Sequence, residues 1–135
     1  MAAITWNEAY SIGITEIDFQ HKNLISIIND LYEAHQMGTG QVIIKETLDK
    51  LIDYTKYHFT MEQQMHSEYK YLRASKHKEE HQEFIAKLDS LKLESENSNI
   101  LLTLKTLDFL KDWTITHILG SDKAFGDYLR EVELQ

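Results

Sequence analysis

A chain of 135 residues is long enough for one compact domain with a real core, and the absence of proline beside only five glycines favours long helices over a turn-rich β architecture. A formal charge of -8 disfavours nucleic acid and anionic membranes as partners, and the lack of cysteine removes disulfides, thiolate nucleophiles, Fe–S clusters and thiolate zinc sites together. With no apolar run of about 18 residues and no charged-then-apolar leader, a cytoplasmic protein without a membrane span is expected.

Residues 1–17, with Trp6, Tyr10, Ile12, Ile14 and Ile17, are too apolar for a disordered tail yet lack helical periodicity, which predicts an extended arm packed on the body. Asp18 is the predicted N-cap of a first helix over about 18–37, whose stripe is His21, Leu24/Ile25, Ile28, Leu31/Tyr32 and His35. Gly38-Thr39-Gly40 is a glycine-bounded turn, and a second helix over about 41–65 follows. Its spacing selects Ile44, Leu48, Leu51, Thr55, His58, Glu62 and Met65, a core stripe that becomes polar at its end.

The pattern blurs after Met65 into a turn, and a third helix from about Ser75 carries His77, His81, Phe84, Leu88 and Leu91. Glu94 to Asn99 reads as the next connection. A fourth helix beginning near Asn97 has an apolar face of Ile100, Leu104, Leu107, Leu110 and Trp113/Thr114, leading to His117. The fold class is therefore all-α, an antiparallel up-down-up-down four-helix bundle with an extended N-terminal arm and a short C-terminal helix over about 122–132, in a single domain spanning 1–135.

A carboxylate on a core stripe costs several kcal/mol unless a cation compensates it, so Glu62 demands a partner. Residues four apart differ by about 40° around a helix, so His58/Glu62 and His77/His81 can each grip one centre. His117 and Asp122 are five apart and converge only where the helix breaks or widens; Gly120-Ser121 is the predicted place for helix four to end and turn Asp122 inward. Antiparallel packing brings these termini and His21 to one level. His35 lies about 21 Å further along helix one and is excluded.

Five imidazoles and two carboxylates exceed one metal and suit two, with the carboxylates free to bridge. Cysteine-free N/O ligation makes a di-iron centre the first choice, ahead of zinc, cobalt or manganese. A ferritin-type oxidase would need Glu-x-x-His pairs, and no Glu stands three residues before any histidine. His35 and His66 read as surface or loop histidines, and Gln20, beside His21, as a solvated side chain in preference to a hydrogen-bonding support for the ligands.

Several motifs, in order and spacing, make the chain resemble the hemerythrin family, of the bacterial single-domain type. They are the arm Trp6…Tyr10-Ser11-Ile12-Gly13-Ile14, Asp18-Phe19-Gln20-His21-Lys22, His58-Phe59-x-x-Glu62, His77-x-x-x-His81 and Trp113-x-x-x-His117-Ile118-x-x-x-Asp122. The resemblance implies reversible O2 binding, not enzymatic turnover, at two iron ions (Fe2+/Fe3+) joined by an oxo or hydroxo group. It assigns His77, His81 and His117 to one iron, His21 and His58 to the other, and Glu62 and Asp122 to both. It puts Leu24, Phe59, Trp113, Thr114 and Ile118 around the O2 pocket, and small anions at the oxidised centre. A di-iron peroxidase or oxidase, or an iron-dependent regulatory module, is the alternative on the same site. Gln63, Thr114 and His66 depart from the family's usual Glu, Leu and Met.

Overall fold

The structure, a computed structural model, describes residues 3–97 and 100–134. Its helices are α1 (Thr15–Gln36), α2 (Gly40–Glu68), α3 (Ala74–Glu94), α4 (Ile100–His117) and α5 (Lys123–Leu134). The first four form the expected antiparallel bundle, each packed on its neighbour in the chain, with α4 closing against α1. Single 3-10 turns occupy Glu8–Tyr10 and Ser95–Asn97. Residues 98 and 99, in the expected α3–α4 connection and start of helix four, lie outside the described residues, as do the first two residues of the expected arm. Among the described residues no helix is long and apolar enough to cross a membrane.

The α1–α2 turn follows its glycines. Gly38 has φ +79°, its N–H reaches the His35 carbonyl at 3.0 Å, and the Thr39 N–H reaches that of Ala34 at 2.8 Å, a Schellman ending. The end of α2 uses the same device without a glycine: Lys70 takes φ +53°, and the Tyr71 N–H reaches the His66 carbonyl at 2.9 Å. With no glycine to mark the stop, the helix runs past the predicted Met65 to Glu68.

Two expectations are corrected here. Asp18 is not an N-cap: α1 begins almost a turn earlier, and the Asp18 carboxylate instead accepts from the Ser11 hydroxyl and, at 2.9 Å, the Ile12 N–H, tying the arm down. Ile100 and Leu104 are not core residues; they are 53% and 42% exposed, while Leu102, Thr103, Thr106, Leu107, Leu110 and Thr114 face inward. Because α4 is apolar on nearly all sides, periodicity alone points to no single face.

The larger core unites Leu24, Ile28, Leu48, Leu51, Phe84 and Leu110 with Phe59 and Trp113. A smaller cluster joins Ile12 and Ile17 from the arm and α1 with Tyr71, Phe125 and Leu129. Gly126 makes that junction tight, since a Cβ there would lie 2.0 Å from the Ile12 carbonyl oxygen.

Candidate metal centre

The seven expected ligands come together, all buried, at the end of the bundle where α1 begins, α2 ends, α3 begins and α4 ends. On α2, His58 and Glu62 sit one turn apart with Nε2 and Oε2 separated by 3.2 Å. On α3, His77 and His81 point the same way, and both bring Nε2 to Nε2 of His117, at 3.1 and 3.2 Å. Asp122 reaches this point because Ile118–Asp122 winds as a π-helix. In an i→i+5 winding, residues five apart stand one turn apart, so Asp122 lies below His117. The expected helix end at Gly120-Ser121 is corrected: the helix widens there and continues into α5.

Asp122 approaches three histidines: Oδ2 is 2.9 Å from His21 Nε2, and Oδ1 is 2.7 Å from His77 Nε2 and 3.1 Å from His117 Nε2. Glu62 Oε1 lies 2.9 Å from His77 Nε2. The ligand-capable atoms fall into two groups, each within 4.8 Å: Glu62, His77, His81, His117 and Asp122, and His21, His58, Glu62 and Asp122. The groups share only the two carboxylates. Both Glu62 oxygens, Asp122 Oδ2 and both His21 nitrogens are sealed from solvent without a hydrogen bond, although opposite charges stand near. Such orphaned polar atoms are costly unless an ion satisfies them, so the nitrogen and oxygen set fits cations well.

The protonation pattern reflects this crowding. Burial works against a charge on His77, but Asp122 and Glu62 outweigh it and push the imidazole up to about 10. For His81, burial together with His117 and His77 brings the value down to about 2. Burial also opposes charge on His21, yet Asp122 and then Glu62 raise it. Asp122, despite its burial, is held well below the carboxylate range by His117 and His21.

A second layer of side chains stands behind the outer ring nitrogens, which helical spacing alone did not place. Gln20, expected in solvent, is buried and meets His58 Nδ1 through Oε1, while its Nε2 contacts Met61 Sδ at 3.1 Å. With the amide oxygen as acceptor, His58 carries its proton on Nδ1 and turns a bare Nε2 inward. Gln63 lies 3.3 Å from His81 Nδ1, and Glu80, held by the Ser121 hydroxyl at 2.9 Å, is 3.6 Å from His117 Nδ1. His66, expected on the surface, is also buried; its Nε2 is 3.8 Å from Glu62 Oε1 and its ring packs on Phe125, Tyr71 and His77. Burial and the neighbouring His77 lower it to about 4. His35 is half-buried at the far end, outside both groups.

Of the expected O2-pocket residues, Leu24, Phe59, Thr114 and Ile118 are buried and Trp113 is half-buried. Phe59 stacks on His81 with ring centres 3.8 Å apart, and Trp113 on His117 at 4.4 Å. The Thr114 hydroxyl is buried without a hydrogen-bond partner.

A family model described as the hemerythrin HHE cation binding domain matches residues 12–129. The chain is 32% identical over 131 residues to a bacteriohemerythrin of Stenotrophomonas maltophilia, covering 96% of this chain and 84% of that one. It is 30% identical over 130 residues to the bacteriohemerythrin of Methylococcus capsulatus, covering 96% and 98%. Among solved structures, wild-type hemerythrin superposes with a TM-score of 0.78 at 28% identity, covering 92% of this chain and 95% of that one. A hemerythrin point mutant gives 0.81 at 29%, covering 94% and 97%.

Proposed function

As the chain belongs to the hemerythrin family, we propose that it binds dioxygen reversibly at a non-haem di-iron centre inside its bundle, serving oxygen storage, delivery, scavenging or sensing. The observation that carries this reading is the pair of buried donor groups that share Glu62 and Asp122. His77, His81 and His117 would hold one iron, His21 and His58 the other, and the two carboxylates both. If each metal takes six ligands, the second group leaves one more position free than the first, and that position is the one for dioxygen. When bound, the irons supply the electrons and the coordination site that dioxygen requires.

The chain's own residues do the rest. Gln20 fixes His58 by the outer nitrogen, so that its inner nitrogen needs no reorganisation, while the Gln63 amide nitrogen stands at the outer nitrogen of His81 and the Glu80 carboxylate 3.6 Å from that of His117. Phe59 and Trp113, stacked on His81 and His117, cover the site with apolar rings and keep water away. His77 Nε2, between Glu62 and Asp122, holds a proton that must leave before the nitrogen can bind a cation. Iron uptake near neutral pH therefore releases protons. On this reading residues 1–135 act as a single binding domain, not an enzyme, and small anions compete for the open position at the oxidised centre. The test is a reduced, anaerobic sample with its iron counted, followed by addition and removal of oxygen while the near-ultraviolet and visible spectrum is recorded.

A further inference from the structure

The outward side of α4 and of the π-helical turn after it bears a stripe that the bundle leaves largely open, with Ile115 also touching the core. Ile100, Leu104 and Leu119 are 42–53% exposed, Ile115 is half-buried, and between them stand Asp108 and Lys111, both exposed. At about 100° per residue Ile100, Leu104, Asp108, Lys111 and Ile115 fall within about 80° of arc, and Leu119 follows on the π-helical turn. Ion pairs elsewhere tie down exposed charges, such as Lys105 with Glu94 at 3.3 Å, but among the described residues none engages Asp108 or Lys111.

The order of these residues is a palindrome. The numbers 100, 104, 108, 111, 115 and 119 are separated by 4, 4, 3, 4 and 4. Read from either end, the stripe runs apolar, apolar, charged, charged, apolar, apolar, and the two central charges have opposite sign. A two-fold axis through the middle of the stripe therefore matches it to itself. Such an axis would set Ile100 against Leu119 of a second copy, Leu104 against its Ile115 and Asp108 against its Lys111, each pairing occurring twice.

We infer that the outer face of α4 is the isologous contact of a homodimer, in which α4 packs antiparallel on α4 of a second copy. Isologous contacts require a surface complementary to itself, and this stripe is complementary in both apolarity and charge. The groove between α1 and α4, lined by Tyr32, Gln36, Leu104 and Lys111, widens the seat. A strip about 29 Å long and one helix diameter wide on each copy buries on the order of 600–700 Å² in total, below the usual range for stable complexes. The dimer is therefore weak and dissociates on dilution.

Sedimentation equilibrium of the full iron-loaded chain, from about 10 µM to about 1 mM, tests this. The wild type is expected to pass from monomer to dimer across that range. D108K and K111D, each alone, place like charges across the axis and are expected to stay monomeric with unchanged helicity and iron content. The double variant D108K/K111D regains the dimer, and an equimolar mixture of the two single variants forms a heterodimer. A wild type that stays monomeric throughout would overturn the inference. So would single reversals that dimerise like the wild type, or a double variant or mixture that stays monomeric.

Discussion

Replacing Gln20 by leucine keeps the volume of a buried side chain and removes the acceptor that fixes His58. In the native protein the amide oxygen binds Nδ1–H, and Nε2 faces the site 3.2 Å from Glu62 Oε2. In Gln20→Leu the buried Nδ1 loses its partner, which costs ~1–3 kcal/mol of apo stability. The ring can also flip its tautomer and present a protonated Nε2 to the metal. Loss of an outer partner of this kind typically lowers metal affinity about 10- to 100-fold. The matching change at Gln63, half-buried and at 3.3 Å from His81, should have a smaller effect. Iron affinity measured against a competing chelator, together with an apo melt, reads both consequences. A Gln20→Leu protein with wild-type affinity and an unchanged melt would refute the assignment of Gln20 as the residue that positions His58.

Gly126→Ala would press a Cβ to 2.0 Å from the Ile12 carbonyl oxygen, which is backbone and cannot swing aside. The arm must lift and expose Ile12 and part of Phe125, and a loss of ~3 kcal/mol in the melt is expected. For the apo protein, His66 at about 4 binds fewer protons than in the unfolded chain. Its contribution is complete above about pH 6.5 and lost as the pH falls to about 4. His77, raised to about 10, contributes fully below about pH 6.5 and loses that contribution as the pH rises through 10. Denaturant melts at a series of pH values should therefore fall on both sides of about 6.5, and His66→Met should make the acid limb shallower without abolishing it, because His81 at about 2 adds to it. Thr114→Val removes the unpartnered hydroxyl at constant shape, and the oxygenated protein should then lose its spectrum to autoxidation severalfold more slowly.

The convergence of the seven candidate residues was legible because helical spacing and bundle direction are properties of the chain itself: two pairs four apart, on stripes that end at the same level. The residues that support them were not. His66 was missed because a 4,3,4,3 template repeats every 3.5 residues, while a straight helix drifts about 20° per heptad. Across α2 the inward position passes from Met65 to His66, the buried one. Gln20 neighbours His21 in the chain, but its value lies in reaching His58 on another helix, and no local pattern announces such a contact. The π-helix was half legible: the five-residue interval demanded widening or a break, and Gly120 suggested a break, yet the helix continues. On α4, Leu107, Leu110 and Thr114 hold inward positions as expected, but threonines at 103 and 106 take the places given to Ile100 and Leu104, so ranking residues by hydrophobicity misread the first turns of that face.

The most direct test of the central claim is the spectrum of the reduced protein as oxygen is added and withdrawn, with iron counted on the same sample. The proposed function predicts about two irons per chain and an absorption that appears with oxygen and disappears on its removal over repeated cycles. An iron-loaded protein whose spectrum does not change with oxygen, or changes once and never returns, would contradict it.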